Sequence, residues 1–458
     1  MDINAIILAA GRGSRMKSLD TEKSKVSFEI LNKPIIKYVL DTVSELKPNR
    51  IVTIVGCGGE CSKALVEDRS EIVWQREMLG TGHAVLQTEP ILKNEKGMTL
   101  VCCGDTPLLR KESLSKLLSY HETNKDDLTV LTAVVPNPRG YGRILRDEIG
   151  CIKEIKEHAD CNEEQKDIKE VNVGVYVFDN QLLMKYLHHI QNNNAQKELY
   201  LTDLVKIFKA HNCKCGAYIL EDRDEMKGIN DRCQLAEATK ILKNRINQKH
   251  MMNGVTIIDP NNTYIGPEVK IGPDTIIYPN THIYGNTEIG IGNEIGPDNY
   301  FVNMKIGDKN HIVKSYLFDS QIGDHNEIGP FAHLRGHCVI HNSSRIGNFV
   351  EFKNTEFKDG AKCAHLTYLG DSEIGSKTNI GCGTITANYD GKNKFRTTIG
   401  ENVFVGSGTT IIAPLTVEDD SFIAAGSTIN EDVHKDDFAI ARARQVNKVG
   451  YAKKYKKK

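Results

Sequence analysis

The chain has 458 residues, which at about 150 residues per domain predicts two to four domains and excludes a single module. With 59 Lys and Arg against 60 Asp and Glu the formal charge is −1, which excludes the global field that draws basic proteins to nucleic acid or to anionic membrane surfaces. Hydrophobic residues at 40% and charged residues at 26% exclude disorder, collagen and coiled coil as the dominant state, so a globular chain is expected. No apolar run approaches the roughly 20 residues that span a bilayer. The start, Met1-Asp2-Ile3-Asn4, shows no basic n-region followed by an apolar h-region, and the expectation is a cytoplasmic protein without a membrane partner. Twelve scattered cysteines without paired CxxC spacing read as free thiols, with Cys102-Cys103 and Cys213-x-Cys215 as small apolar strand residues.

From residue 1 to about 227, short apolar runs alternate with amphipathic stretches. Strands are expected over Ala5 to Ala10, Ile51 to Val55, Thr99 to Cys103, Leu128 to Val135 and Val173 to Phe178. Helices are expected over Pro34 to Leu46 and Ser113 to His121. The pattern predicts an α/β, Rossmann-like domain with a mainly parallel sheet, whose ligands bind at the carboxyl ends of the strands. Residues 228 to 250 read as one long helix joining this domain to the next, with Ile229, Leu235, Ala238, Ile241, Leu242 and Ile246 near helical spacing.

After the helix the period becomes six. Ile265, Ile271, Ile277, Ile283, Ile289 and Ile295 are evenly spaced; so are Ile322, Ile328, Leu334, Ile340, Ile346 and Phe352, and again Ile399, Val405, Ile411, Val417, Ile423 and Ile429. Three such runs predict a left-handed parallel β-helix of hexapeptide repeats, each rung pointing one aliphatic side chain to the axis. Residues 255 to 433 then form roughly ten coils, with loops expected to leave the prism near 306 to 321 and 352 to 373. The tail after Asp436, ending Tyr455-Lys456-Lys457-Lys458, is read as having lost the repeat. The domains expected are therefore 1–227, a linker 228–250, and 251–458.

The first expected strand runs into Leu8-Ala9-Ala10-Gly11-Arg12-Gly13-Ser14-Arg15-Met16, with Lys25 following. Two glycines let backbone N–H groups approach phosphate oxygens, and Arg15 and Lys25 supply local positive charge. The spacing is neither a Walker loop nor a complete dinucleotide fingerprint, and a plain strand-turn-helix is the competing reading of this loop alone. Asp105 follows an apolar strand, where a carboxylate with few protein partners suits Mg²⁺ held jointly with substrate phosphates; taken singly it reads equally as a turn residue before Pro107.

This segment resembles the nucleotidyltransferases that couple sugar 1-phosphates to nucleoside triphosphates, whose signature is LxxGxGxRM followed by a lysine. The same family is echoed in Gln75 with Leu79-Gly80-Thr81-Gly82-His83-Ala84, Gly104-Asp105-Thr106-Pro107-Leu108, Gly140-Tyr141-Gly142-Arg143-Ile144, Glu157, Asn172 with Gly174, and Gly228-Ile229-Asn230. Together with the prism, these motifs resemble over the whole chain the bacterial bifunctional enzymes with N-acetylglucosamine-1-phosphate uridyltransferase and glucosamine-1-phosphate acetyltransferase activities. The resemblance implies that Asp105 and Asn230 hold Mg²⁺, and that Leu8, Ala9, Ala10, Gly11, Arg15 and Lys25 cradle UTP. It implies that Gln75, Gly80 and Thr81 hold the uracil, and that Gly142, Glu157 and Asn172 hold the sugar of N-acetylglucosamine 1-phosphate.

On the prism, the family's acetyltransferase motifs are Ala364-His365-Leu366-Thr367-Tyr368-Leu369-Gly370-Asp371 and Asn388-Tyr389-Asp390-Gly391. Acyl transfer to an amine needs a base that titrates near neutrality, which imidazole supplies, whereas His282, His325 and His337 read as surface or corner residues. The resemblance assigns His365 as the base toward glucosamine 1-phosphate, with Arg335 and Lys353 on its phosphate and Tyr368 and Asn379 on its sugar. It assigns Cys382, Asn388, Tyr389, Ser407, Ala425 and Arg442 to acetyl-CoA, Asn388 also orienting the base or nucleophile. Cys382 stands where relatives carry a small residue and reads as a fitted side chain, and Arg335-Gly336-His337 stands where relatives have Arg-Pro, which leaves the arginine's backbone pose open. The resemblance further implies a homotrimer whose acetyl-CoA site lies between neighbours. The competing expectations are a monofunctional sugar-1-phosphate nucleotidyltransferase with an oligomerising prism, and a non-catalytic regulatory subunit.

Overall fold

The computed structural model describes residues 2–11, 13–20, 23–56 and 58–456, so Arg12 of the glycine loop and the last two lysines lie outside the described residues. The described residues form two compact units, divided between Leu242 and Lys243.

The first unit is built on a sheet of nine strands: β1 (Ile3–Ala9), β2 (Arg50–Gly56), β3 (Glu71–Gln75), β4 (Met98–Cys103), β5 (Leu128–Val134), β6 (Arg143–Arg146), β7 (Ile152–Lys156), β8 (Glu170–Asp179) and β9 (Cys215–Ile219). The main order is β9-β5-β8-β4-β1-β2-β3. Every pair in it is parallel except those of β8, which runs antiparallel to β4 and β5 and also pairs with β6 of the β6–β7 hairpin. The mainly parallel expectation holds, with β8 as the exception. The apolar run Val173 to Phe178 specifies a buried strand but carries nothing about its direction.

Side chains alternate across each strand, so Ile3, Ala5 and Ile7 of β1 feed one core and Ile6 the other. Helices α1 (Ile35–Ser44), α2 (Thr81–Leu86), α3 (Lys111–Asn124) and α4 (Asp203–Ala210) connect these strands. The carboxyl ends of β1 and β4 lie side by side, Gly104 N–H donating to Leu8 C=O at 2.9 Å, and this brings the glycine loop beside Asp105. The long helix α5 spans Arg232–Met252 rather than starting at 228. Asp231 accepts from Gln234 N–H at 2.9 Å and so caps the helix there, which keeps Gly228 to Asn230 outside it.

In the second unit, 26 parallel strands coil into a β-helix of about ten turns. All three aliphatic runs point inward and form one continuous core, with Ile271 only partly buried. Parallel ladders repeat at 18 residues (Ile265 beside Ile283), shorten to 16 (Phe301 beside Leu317) and to 17 (Ile346 beside Cys363), and return to 18 (Val405 beside Ile423).

The loops expected near 306 to 321 and 352 to 373 do not exist. Those register breaks are corners shortened by one residue, in which Asn303, Lys314, Asp319, Asn354 and Asp371 adopt positive φ three positions before the next inward side chain. The segment that does leave the prism follows Asn388, where the ladder offset jumps to 25 residues from Ile374 to Ile399. The repeat also persists one rung beyond Asp436, since Phe438–Ala439 pairs with Phe422–Ile423. Among the described residues no helix is long and apolar enough to cross a membrane.

Candidate active sites

At the carboxyl end of β1, a cavity of about 240 Å³ is lined by Leu8, Ala9, Ala10, Gly11, Lys25, Gln75, Gly80, Thr81 and Asp105, together with Cys103 and Glu198, which the motifs did not single out. Gly13 has φ 66° and no room for a side chain, because an added Cβ would meet Lys25 Cβ at 2.6 Å; the glycine lets the loop fold over Lys25. The Lys25 ammonium forms an ion pair with Asp105 and donates to Asn230 Oδ1 at 3.0 Å, and Arg15 donates to the same oxygen at 2.9 Å. A carboxylate and an amide oxygen, 125 residues apart in sequence, thus converge on one cation inside the cavity. Gln75 Nε2 donates to Gly80 C=O at 3.0 Å. Burial pushes the Cys103 thiol up to about 12, so it is a packing group and not a nucleophile at neutral pH.

Gly142, Glu157 and Asn172 form a second, connected group. An added Cβ on Gly142 would stand 3.4 Å from Glu157 Oε1, and Asn172 N–H donates to Gly142 C=O at 2.9 Å. Thr202, a residue the motifs did not indicate, donates to Glu157 at 3.2 Å, and burial raises the pKa of that carboxyl. Asn172 is held at both ends of its amide, donating to Tyr176 Oη at 2.7 Å and accepting from Gly174 N–H at 3.0 Å. Glu157 lines a separate cavity of about 470 Å³ with Asp160, Asn194 and Tyr200.

On the prism, the expected residues fall into two groups. His365 pairs in register with Asn348 one coil earlier, and His365 Nδ1 lies 3.0 Å from Asn348 Oδ1. Below it on the same edge come Cys382, Ser407 and Ala425. Gly408 N–H donates to Cys382 C=O at 2.7 Å, Gly426 N–H to Ser407 C=O at 2.8 Å, and Arg442 Nη1 to Ala425 C=O at 2.7 Å.

The second group gathers Arg335, Lys353, Tyr368 and Asn388. Lys353 pairs with Gly370, and an added Cβ on Gly370 would meet Tyr368 Oη at 2.3 Å and Asn388 Nδ2 at 2.8 Å. Arg335 is ion-paired to Glu351 at 2.7 Å, and Gly336 has φ 101°, which a proline could not adopt. Lys394 reaches this group from the loop that leaves the prism, and as the nearest like charge, with Arg335 behind it, lowers the pKa of Lys353. Tyr389 sits in the same loop, bridged to Lys394, while Asn379 pairs with Lys362 on another rung. Among the described residues, no hydrogen bond or ion pair joins the His365 edge to the Arg335 group. Asn348 had no usable signal in the sequence, since three full hexapeptide rungs would place Gly347 beside His365 and only the 17-residue coil of the structure brings Asn348 there. Lys394 had none, because its place depends on how the loop folds back.

Residues 4–224 match the family model described as nucleotidyl transferase. Residues 319–354 and 396–431 match the bacterial transferase hexapeptide model of six repeats. Over 98% of its length and 98% of theirs, the chain is 47% identical to a Listeria innocua protein named bifunctional protein GlmU. Proteins of the same name from Geobacillus sp. (49% identity, 98% of this chain, 97% of that one) and Staphylococcus epidermidis (47%, 99% and 100%) are similar to it. The chain belongs to the GlmU family. Its nucleotidyl transferase half and hexapeptide transferase half make it a bifunctional uridyltransferase and acetyltransferase, which excludes a purely structural role for the prism.

Proposed function

We propose that residues 1–227 transfer uridylyl from UTP to N-acetylglucosamine 1-phosphate, that 228–250 link the halves, and that 251–458 acetylate glucosamine 1-phosphate from acetyl-CoA. The observation that carries the first half is the convergence of Asp105 and Asn230 on the Lys25 ammonium, a stand-in cation on two oxygen donors that suit Mg²⁺. When bound there, Mg²⁺ supplies charge neutralisation on the triphosphate. Lys25 and Arg15 hold the phosphate oxygens as negative charge spreads over them, and backbone N–H groups from Ala9 to Gly11 cradle the chain of phosphates. The sugar phosphate attacks the α-phosphorus and pyrophosphate leaves, so no covalent intermediate with the protein is required. Because the Gly80 carbonyl can only accept a hydrogen bond, it takes one from the Gln75 amide N–H and leaves the Gln75 oxygen for a base that offers an N–H, as uracil does. Thr81 closes this side, while Glu157, Asn172 and Gly142 select the sugar.

In the second half, His365 takes a proton from the 2-amine, the amine nitrogen bonds to the thioester carbonyl carbon, and the C–S bond breaks to release coenzyme A as its thiol. Arg335 and Lys353 hold the sugar phosphate, Tyr368 and Asn379 the sugar, and Cys382, Asn388, Tyr389, Ser407, Ala425 and Arg442 the acetyl-CoA, Asn388 also orienting the base or the nucleophile. The alignment of His365 above Cys382, Ser407 and Ala425 along one edge supports this assignment.

A homotrimer is the assembly that fits. Phe331 and Phe349 stack at 5.0 Å on that edge and, with Leu366, form an exposed apolar ridge of bulky residues at positive φ, a conformation that costs each about 1–2 kcal/mol and is repaid by packing against a neighbour. A cytoplasmic location fits substrates of this class. The test is a split assay on wild type, His365→Ala and Asp105→Ala: thiol release from acetyl-CoA with glucosamine 1-phosphate, and pyrophosphate release from UTP with N-acetylglucosamine 1-phosphate and Mg²⁺. Each substitution is expected to abolish its own activity and spare the other. Loss of neither or of both by one substitution would overturn the two-site assignment.

A further inference from the structure

We infer that Asn348 is a positioning residue for acetyl transfer: its side-chain oxygen fixes His365 in the Nδ1–H tautomer and leaves the Nε2 lone pair for the substrate amine. The inference rests on the reading of His365 as the base. The two side chains stand beside each other in a parallel ladder, with His365 Nδ1 3.0 Å from Asn348 Oδ1. The spacing is set by backbone, since the neighbouring Gly347 packs so tightly that an added Cβ would lie 1.9 Å from Ala364 C=O, and Thr367 Oγ1 ties down the His365 carbonyl at 2.7 Å.

A neutral imidazole carries one N–H, and a partner that accepts at Nδ1 selects the tautomer whose Nε2 is unprotonated. An amide oxygen makes that selection without a charge. A carboxylate at the same place would hold the ring as imidazolium and take the base out of use at neutral pH. The nearest ionisable residues along the paired strands are Arg345, Glu351 and Lys353 on the strand before it, Lys362 and Tyr368 on its own strand, and Cys382 on the coil after it. None of them hydrogen-bonds the ring among the described residues.

The experiment measures acetyl transfer against pH for wild type, Asn348→Leu, Asn348→Asp and His365→Gln, with uridylyl transfer by the same preparations reporting that the chain is folded. Asn348→Leu is expected to lower kcat about tenfold while each KM stays within about twofold. Asn348→Asp restores an acceptor and is expected to keep most of kcat at high pH while moving the acidic limb of the kcat profile upward by about one pH unit. Unchanged kcat in Asn348→Leu, or an unmoved limb in Asn348→Asp, overturns the inference. If Asn348→Leu fails to fold, the limb of Asn348→Asp decides alone. Full acetyl transfer by His365→Gln would instead overturn the reading of His365 as base.

Discussion

At the scale of single residues, the proposed nucleotidyltransferase site is held together by opposite charges. Lys25 neutralises Asp105 in the free chain, so the pair needs no counter-ion until phosphates arrive. Asp105→Asn is expected to lower uridylyl transfer at least about 100-fold, and removal of divalent cations by EDTA is expected to abolish it, while thiol release from acetyl-CoA continues unchanged in both cases. Glu157 behaves differently because burial raises its pKa above that of the unfolded chain. A carboxyl of this kind costs the folded state nothing below the unfolded value; its cost accrues as pH climbs from the unfolded to the folded value and is fully present above it. Glu157→Gln is therefore expected to raise the melting temperature of its unit by about 2 °C at pH 7, the gain disappearing near pH 4, although KM for N-acetylglucosamine 1-phosphate rises. Equal melting shifts at both pH values would contradict this account.

At the scale of elements, the prism is a stack in which each coil supplies what its neighbours lack. Its inward aliphatic side chains provide apolar burial, and an internal ladder of amides ties the corners together. Asn310 donates to Gly323 C=O at 2.9 Å and to Asn293 Oδ1 at 3.1 Å, and accepts from Asn326 N–H at 2.8 Å. Replacing Asn310 with Ala strands a buried donor and a buried acceptor, so the melting transition of the second unit is expected to fall by the equivalent of about 2–4 kcal/mol, with the transition of the first unit unmoved. The six-residue period made the architecture legible before any coordinate, because each rung must send one aliphatic side chain to the axis. The shortened corners were not legible as such. A five-residue rung and an excursion both look like a lost register in one dimension; the short rung drops a residue ahead of its corner, where Asp319 or Asn354 has the same positive φ as the six-residue corners Asp298 and His325. In the other unit the strand positions of β1, β2 and β4 followed from apolar runs, whereas the reversed direction of β8 did not, since a buried strand is equally apolar either way.

At the scale of the whole molecule, the proposed sites make different demands on assembly. The nucleotide cavity is enclosed by residues of one unit of one chain, while the His365 edge and the Arg335 group of a single chain make no bond to each other among the described residues. Dilution through the dissociation of a trimer, followed by light scattering, is therefore expected to reduce acetyl transfer per chain several-fold and to leave uridylyl transfer per chain constant. A monomer with full acetyl transfer would refute the shared site, and a dilution loss of both activities together would point to unfolding.

What the sequence determined by itself is whatever depends on local order: the change of period from α/β alternation to sixes, the glycine loop after the first strand, and the candidate residues near Asp105 and His365. Backbone geometry and side-chain alternation impose those patterns over a few residues, so they survive in one dimension. What only the tertiary structure decided is which distant groups meet. The pairing of Asp105 and Asn230 on Lys25, the Thr202 hydroxyl on Glu157, the Lys394 ammonium beside Lys353 and the Asn348 oxygen at His365 each join elements whose approach is set by the summed packing of sheet or coil. No local preference encodes that approach, because the free energy that fixes it is spread over the whole core and not carried by the residues it brings together.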